Sequence, residues 1–144
     1  MDLPSAASPD RREPYAFGRR IVWPDDEALL EVRADWAAAS ERVWAIQGPD
    51  ELLAALREPD GRVRRGAARR LATEAASDPR TLPALVDVLA TDPAWQVREG
   101  VAEDLGDFED ASAEAALRHA CSDEDDDVKA AAEATLRRRA GLTP

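Results

Sequence analysis

The sequence predicts an all-α protein, a short α-solenoid of about three helical hairpins with an N-terminal capping helix. Composition is the first reason, since Ala, Leu, Arg and Glu dominate the 144 residues and aromatic residues make up only 5% of them. This mixture favours helices over strands. Internal similarity is the second reason, because three segments of the chain align without gaps, as in stacked repeat proteins.

The aligned segments are the predicted second helices of the hairpins. They begin at Val63, Val97 and Val128, which are 34 and 31 residues apart. Each is preceded by an acidic turn, and each turn by a short apolar helix that ends at Leu56, Leu89 or Ala120. One repeat is therefore a helix, an acidic turn and a helix, and we expect repeats over about residues 50–78, 79–110 and 111–139.

The spacing within each second helix predicts its buried face. The valine and the residues four and eight positions later lie on one side of a helix. The expected core sets are Val63/Ala67/Leu71, Val97/Val101/Leu105 and Val128/Ala132/Leu136. Gly66 and Gly100 flank this face, so neighbouring second helices should approach closely. Glu133 interrupts the small flanking residues only in the last repeat, whose outer side should be polar.

The region before the repeats is predicted to cap the array. Apolar residues recur every three or four positions from Leu29 to Ile46, which predicts an amphipathic helix over residues 26–47. Val32-Arg33 lies 31 residues before Val63-Arg64, so the helix is either a simple cap or a degenerate further repeat. Residues 1–24 contain four prolines and are predicted to be a flexible tail, which could still dock on the domain formed by residues 25–144.

The acidic turns followed by Val-Arg or Val-Lys resemble the HEAT repeat over residues 50–139, in particular the bacterial subclass grouped with phycobilisome-lyase-like HEAT proteins. The resemblance implies a ladder of ion pairs between repeats. Its acids would be Asp60, Asp92 and Asp127, and its bases Arg64, Arg98 and Lys129. Proteins of this kind include scaffolds, adaptors, lyases and DNA-repair enzymes, so the resemblance implies an architecture and leaves the function open.

Charge and composition exclude several classes of function. A net charge of -11 disfavours nucleic acid and anionic membranes as partners. No apolar run reaches the roughly 20 residues needed to span a bilayer, and one cysteine cannot form a disulfide framework, so we expect a cytoplasmic protein. The charge is uneven: residues 57–70 hold six arginines against two acids, whereas residues 99–127 hold twelve acids against Arg118.

No catalytic, cofactor or metal site is expected. His119, the single histidine, lies two residues before Cys121, so the two side chains point to different faces of a helix and cannot act as nucleophile and base. The acidic run 123–127 fails as an EF-hand loop, which would require Gly where Val128 stands and Glu where Ala134 stands. Acids before Val128 are better explained as caps of the last helix.

Two surfaces are candidates for binding a protein. On the second helices, positions two and six after each valine point away from the core, which places Arg65 and Arg69 beside Glu99 and Glu103. These charges predict either lateral ion pairs or a mixed-charge groove, with Trp95 either at its rim as an anchor or packed against the next turn. The acidic run is the second candidate, through Asp123, Asp125 and Asp126, which would bind a basic partner.

The predicted function is therefore a non-catalytic interaction module, scaffold or adaptor, with no cofactor. Three alternatives stay open: a subunit of a phycobilisome-lyase-like enzyme, a DNA-repair-like HEAT enzyme, and an immunity or antitoxin-type inhibitor of a basic protein. A repair enzyme would need a basic groove, and only the first repeat is basic.

Overall fold

The computed structural model describes the backbone of residues 26–142 and the side chains of residues 36–142. This part of the chain contains seven α-helices and no strand, which confirms the all-α prediction. The helices are α1 (Asp26–Ala45), α2 (Gly48–Ala55), α3 (Gly61–Glu74), α4 (Thr81–Thr91), α5 (Trp95–Asp104), α6 (Ala111–Ala120) and α7 (Asp126–Arg139); a 3-10 helix follows α5 at Leu105–Asp107. The predicted tail, residues 1–24, lies outside the described residues.

The helices form two layers. The pairs α2/α3, α4/α5 and α6/α7 are hairpins, and the second helices contact one another in the order α3, α5, α7. Helix α1 packs against α3 on the side of α3 that faces away from α5. It therefore extends the layer of second helices at the end nearest the first repeat. The first helices α4 and α6 are also in contact and form part of the opposite layer. The chain is thus a short stack of hairpins.

Aspartate side chains cap the N-termini of three helices, α3, α6 and α7. Asp60 accepts a hydrogen bond from the Arg62 N–H at 2.9 Å, and Asp110 accepts one from the Ser112 N–H at 2.8 Å. Asp125 accepts from the N–H groups of Asp127 and Val128. Each carboxylate satisfies backbone donors that have no partner within the helix, and its charge is favourable at that end of the helix dipole. Much of the acidic character of the turns is therefore structural.

The predicted core residues are buried. Of the nine residues in the three sets, eight are at most 1% exposed, including Leu105, which lies in the 3-10 helix just after α5. The ninth, Leu136, is only partly buried. It belongs to α7, which lies at the end of the stack of described helices. Glu133, on the same terminal helix, is exposed as expected.

Gly66 and Gly100 both permit close packing, but against different neighbours. A Cβ atom on Gly66 would lie 2.8 Å from Cγ2 of Val43, so the glycine lets α1 approach α3. A Cβ on Gly100 would lie 1.8 Å from Nε of Arg65. At Gly100 the space admits a charged side chain of the preceding repeat, which the sequence pattern did not predict.

Candidate functional site

The ion-pair ladder between repeats is present. Arg64 of α3 donates to both carboxylate oxygens of Asp92, from Nε at 2.8 Å and from Nη2 at 3.0 Å. Its Nη1 also donates to the carbonyl oxygens of Glu58 and Pro59, in the turn of its own repeat. Arg64 therefore joins the turns of the first and second repeats. Bidentate pairs of this kind are among the stronger charged hydrogen bonds in proteins.

The next step of the ladder has the same form. Arg98 donates to Asp123 at 3.0 and 3.1 Å and to the carbonyl oxygen of Asp92 at 2.7 Å. Burial of Asp123 opposes its ionisation, but the Arg98 hydrogen bonds and the Asp125 N–H outweigh that effect and lower the pKa of the carboxyl. Both arginines are thus held between two consecutive turns.

The assignment of Asp60, Asp127 and Lys129 to the ladder was wrong. Asp60 binds Arg62 of its own turn, and Arg98 binds Asp123 in place of Asp127. The reason is the position of the acid in the turn: Asp92 and Asp123 each stand five residues before the valine that follows, whereas Asp127 lies inside the first turn of α7. Lys129 forms an ion pair with Asp126 of the same helix, at 3.3 Å.

The arginines of the first candidate surface converge on an acid that the sequence analysis did not select. Arg65 Nη1 lies 2.9 Å from Oδ2 of Asp104, and Arg69 Nη1 lies 2.8 Å from Oδ1 of the same carboxylate. The Asp104 side chain is 0% exposed, and its hydrogen bond raises the pKa of Arg69. Lateral pairing between adjacent second helices was thus predicted, but with the wrong acid. Asp104 directly precedes the core residue Leu105, and its place in the sequence alone gives little sign of this role.

Trp95 and Glu99 do not lie on an open surface. Of the two roles considered for Trp95, packing is the one found, and the expected exposure of Glu99 was wrong. Trp95 is 6% exposed and packs in the larger hydrophobic core, and Glu99 is 3% exposed. The cause is the central place of α5, which contacts α3, α4 and α7 and is buried from its first residue through Ala102. The expected aromatic anchor is therefore part of the interior. Arg69 and Glu103 remain exposed.

The acidic run is also more structural than expected. Asp125 is 9% exposed and caps α7, and Asp123 is half-buried against Arg98, so the expected exposure holds only for Asp126. Besides Asp110, which caps α6, four other acids between residues 99 and 127 are exposed and make no ion pair with any described residue. They are Glu103, Asp107, Glu109 and Glu124. We call these four residues and Asp126 the exposed acids of the C-terminal half.

The histidine and the cysteine occupy different environments. His119 is exposed, and Cys121 is a half-buried free thiol at the end of α6. Burial raises the pKa of Cys121, and the Glu133 charge acts in the same direction, so the thiol is less easily ionised than a free cysteine. Among residues 36–142, no three His, Cys, Asp or Glu side chains are grouped as a metal ion would require. No helix in the described region has the length and apolar character of a membrane span.

A protein-family model described as HEAT repeats matches residues 49–137. HEAT repeats generally mediate protein–protein interaction, and the fold is typically non-catalytic. The match does not reach the level of a subclass, so the phycobilisome-lyase-like assignment and a bacterial origin stay predictions. No curated protein and no solved structure shows a significant match to the chain.

Proposed function

This chain belongs to the HEAT-repeat family, and we propose that it is a non-catalytic interaction module that binds a basic segment of another protein. The exposed acids of the C-terminal half are the observation on which the proposal rests. Scaffold, adaptor and inhibitor roles all require such a bound partner. We also propose a cytoplasmic location, because a free cysteine is typical of a reducing compartment.

These acids differ from the other charged groups because their charges are not used in ion pairs between repeats. Arg64, Arg65 and Arg98 are largely buried in pairs with Asp92, Asp104 and Asp123. Those groups hold the repeats together and have little capacity to bind a partner. Glu103, Asp107, Glu109 and Glu124 are exposed and form no ion pair with a described residue, although Glu103 and Asp107 lie close enough to Arg69 to help raise its pKa. A basic partner would therefore gain their attraction without breaking a native ion pair.

The test compares two charge variants of the full chain. One carries Glu103→Gln, Glu109→Gln and Glu124→Gln; the control carries Glu41→Gln, Glu51→Gln and Glu74→Gln, at exposed positions of α1 and the first hairpin. Each removes three negative charges. Immobilised wild-type and variant chains are exposed to host lysate at low and high salt, and the captured proteins are quantified by mass spectrometry.

We expect the wild type and the control to capture the same basic proteins at low salt, with capture falling as salt screens the charges over a Debye length of about 8 Å. The C-terminal variant should lose most of that capture. All six positions are exposed, but in the control Glu51 and Glu74 also accept hydrogen bonds from the Gln47 N–H and from Arg70, so thermal melts must show that both variants are folded. Undiminished capture by the C-terminal variant would show that the exposed acids are not the binding surface.

A further inference from the structure

We propose that the groove between α4 and α6 binds the apolar side of a basic amphipathic helix from the partner protein. This inference rests on the proposed function and adds to it a site and the chemistry of the segment bound. The groove, called here the α4–α6 groove, has a volume of about 430 Å³. Its walls include Val86, Leu89, Ala90, Ala115, Ala116 and His119.

The bottom of the groove consists of buried apolar residues, and its opening is lined by exposed apolar residues. Leu89 is 3% exposed and Ala120 is 4% exposed, and both belong to the larger hydrophobic core. Ala90 and Ala115 are exposed on the facing walls. Small side chains on α6 leave the space unfilled, since alanines stand where larger residues would close the valley. Pockets that bind ligands span about 300–1,000 Å³ and are mostly apolar. This groove can therefore hold one or two large apolar side chains.

Acidic residues lie next to residues that line the groove, which favours a basic occupant. Asp110 accepts hydrogen bonds from the N–H and hydroxyl of the lining residue Ser112, and Asp87 and Glu124 follow the lining residues Val86 and Asp123 in the chain. Asp123 lines the groove but is paired with Arg98, and Arg118, the neighbour of the lining residue His119, is paired with Glu114. Asp87, Asp110 and Glu124 are all exposed. No lysine or arginine lines the groove in the described part of the chain. A segment with apolar residues facing inward and basic residues at its margins complements both features.

A helix is the conformation that suits this groove. Two neighbouring helices form a valley that runs along their length, and amphipathic helices bind such valleys through apolar residues at positions i, i+3 or i+4, and i+7. Lysines and arginines on the flanks of the bound helix would then face the bordering acids. The acidic margin disfavours nucleic acid for the same electrostatic reason.

The experiment measures binding of two model peptides to the full chain. The first is a helical peptide with leucines along one side and lysines elsewhere; the second has glutamine in place of each leucine and the same charge. Ala115→Trp and, from the opposite wall, Ala90→Trp fill the groove. Ala134→Trp is the matched control, because Ala134 is exposed on α7 and does not line the groove. Thermal melts show whether each variant is folded.

We expect the leucine peptide to bind the wild type and the Ala134 variant alike. Either groove-filling variant should bind it about tenfold more weakly, since the loss of one buried leucine side chain corresponds to about that factor. The glutamine peptide should bind weakly and to the same extent in all variants. Chemical shifts of α4 and α6 should change on addition of the leucine peptide.

Three results would overturn the inference. The first is equal affinity of the two peptides for all variants, including Ala115→Trp and Ala90→Trp. Binding would then be due to charge attraction alone, which rejects the groove and retains the proposed acidic surface. Failure of both peptides to bind at low salt would reject the acidic surface as well. The third result is self-association of the chain that is abolished by the groove-filling variants and is not competed by the leucine peptide. It would identify a second copy of the chain as the occupant of the groove.

Discussion

Replacing Gly100 by alanine should destabilise the protein, although alanine is the better helix former. The added Cβ would lie 1.8 Å from Nε and 2.3 Å from Cζ of Arg65. Arg65 must then leave its position, and its hydrogen bond to Asp104 is lost. Because Gly100 lies within α5, the substitution would otherwise be favourable by about 1 kcal/mol.

The size of the effect depends on how buried the pair is. The side chains of Arg65 and Asp104 are 16% and 0% exposed. Breaking a buried ion pair costs about 3–5 kcal/mol. We expect less here, about 2–3 kcal/mol, because Asp104 keeps its second pair with the more exposed Arg69. After subtracting the gain in helix propensity of about 1 kcal/mol, Gly100→Ala should cost about 1–2 kcal/mol.

The assay is a double-mutant cycle with Arg65→Ala, followed by chemical denaturation. In the Arg65→Ala background the obstruction is gone, so Gly100→Ala should become stabilising, by about 1 kcal/mol. Gly61→Ala is a control: its Cβ would meet no atom closer than 3.4 Å, so Arg65 and Asp104 are undisturbed. Equal destabilisation by Gly100→Ala in both backgrounds would refute the role assigned to Arg65.

Three further predictions concern stability. Val97→Asp should abolish cooperative folding, because it buries an unpaired charge at a residue that is 0% exposed; a cooperative melt near the wild-type midpoint would contradict the repeat register. Thr135→Val should stabilise the protein by about 1 kcal/mol in denaturation, since the buried Thr135 hydroxyl has no hydrogen-bond partner in the described structure; a loss of stability would show that the hydroxyl is bonded. The pKa values of Asp60 and Asp123 are lowered in the folded protein: for each carboxyl, burial opposes ionisation, but hydrogen bonds from Arg62 and Arg98 respectively outweigh it. Their ionised forms therefore stabilise the fold above the ordinary carboxyl pKa of about 4, and that stability should be lost as pH falls through the lowered values. Thermal melts across this range should show a smaller acid loss for Asp60→Asn and Asp123→Asn than for the wild type, and unchanged pH dependence would contradict the assignment.

Predictions based on local sequence pattern were more successful than predictions that depend on which helices pack together. Val63, Val97 and Val128 were correctly placed in the core because helical periodicity is a local property that a single chain segment displays. The acids before Val128 were predicted to cap the last helix for the same reason, and Asp125 does so through partners two and three residues away, although it had also been expected to be exposed. For Trp95 the sequence left an exposed anchor and a packed position open, because burial depends on which other helices surround α5.

Pairing between repeats was less predictable. The residue partners of Arg65 and Arg98 lie 39 and 25 positions further along the chain. Several acids stand at similar separations, and sequence spacing alone does not say which one the guanidinium reaches. For Arg98 the five-residue offset from the next valine was an available signal, shared with Asp92. For Arg65 the deciding feature is the missing Cβ of Gly100, whose consequence appears only when α3 and α5 are packed together.

The sequence by itself determined the helical class, the repeated hairpin and the buried face of each second helix, because these follow from periodicities within some ten residues. Tertiary structure alone decided which charges are used to join the repeats and which stay solvated. Stacking brings Asp104 under two arginines and leaves Glu103, its neighbour in the chain, exposed. It also forms the α4–α6 groove, since a valley between two helices exists only once both have packed on the same core.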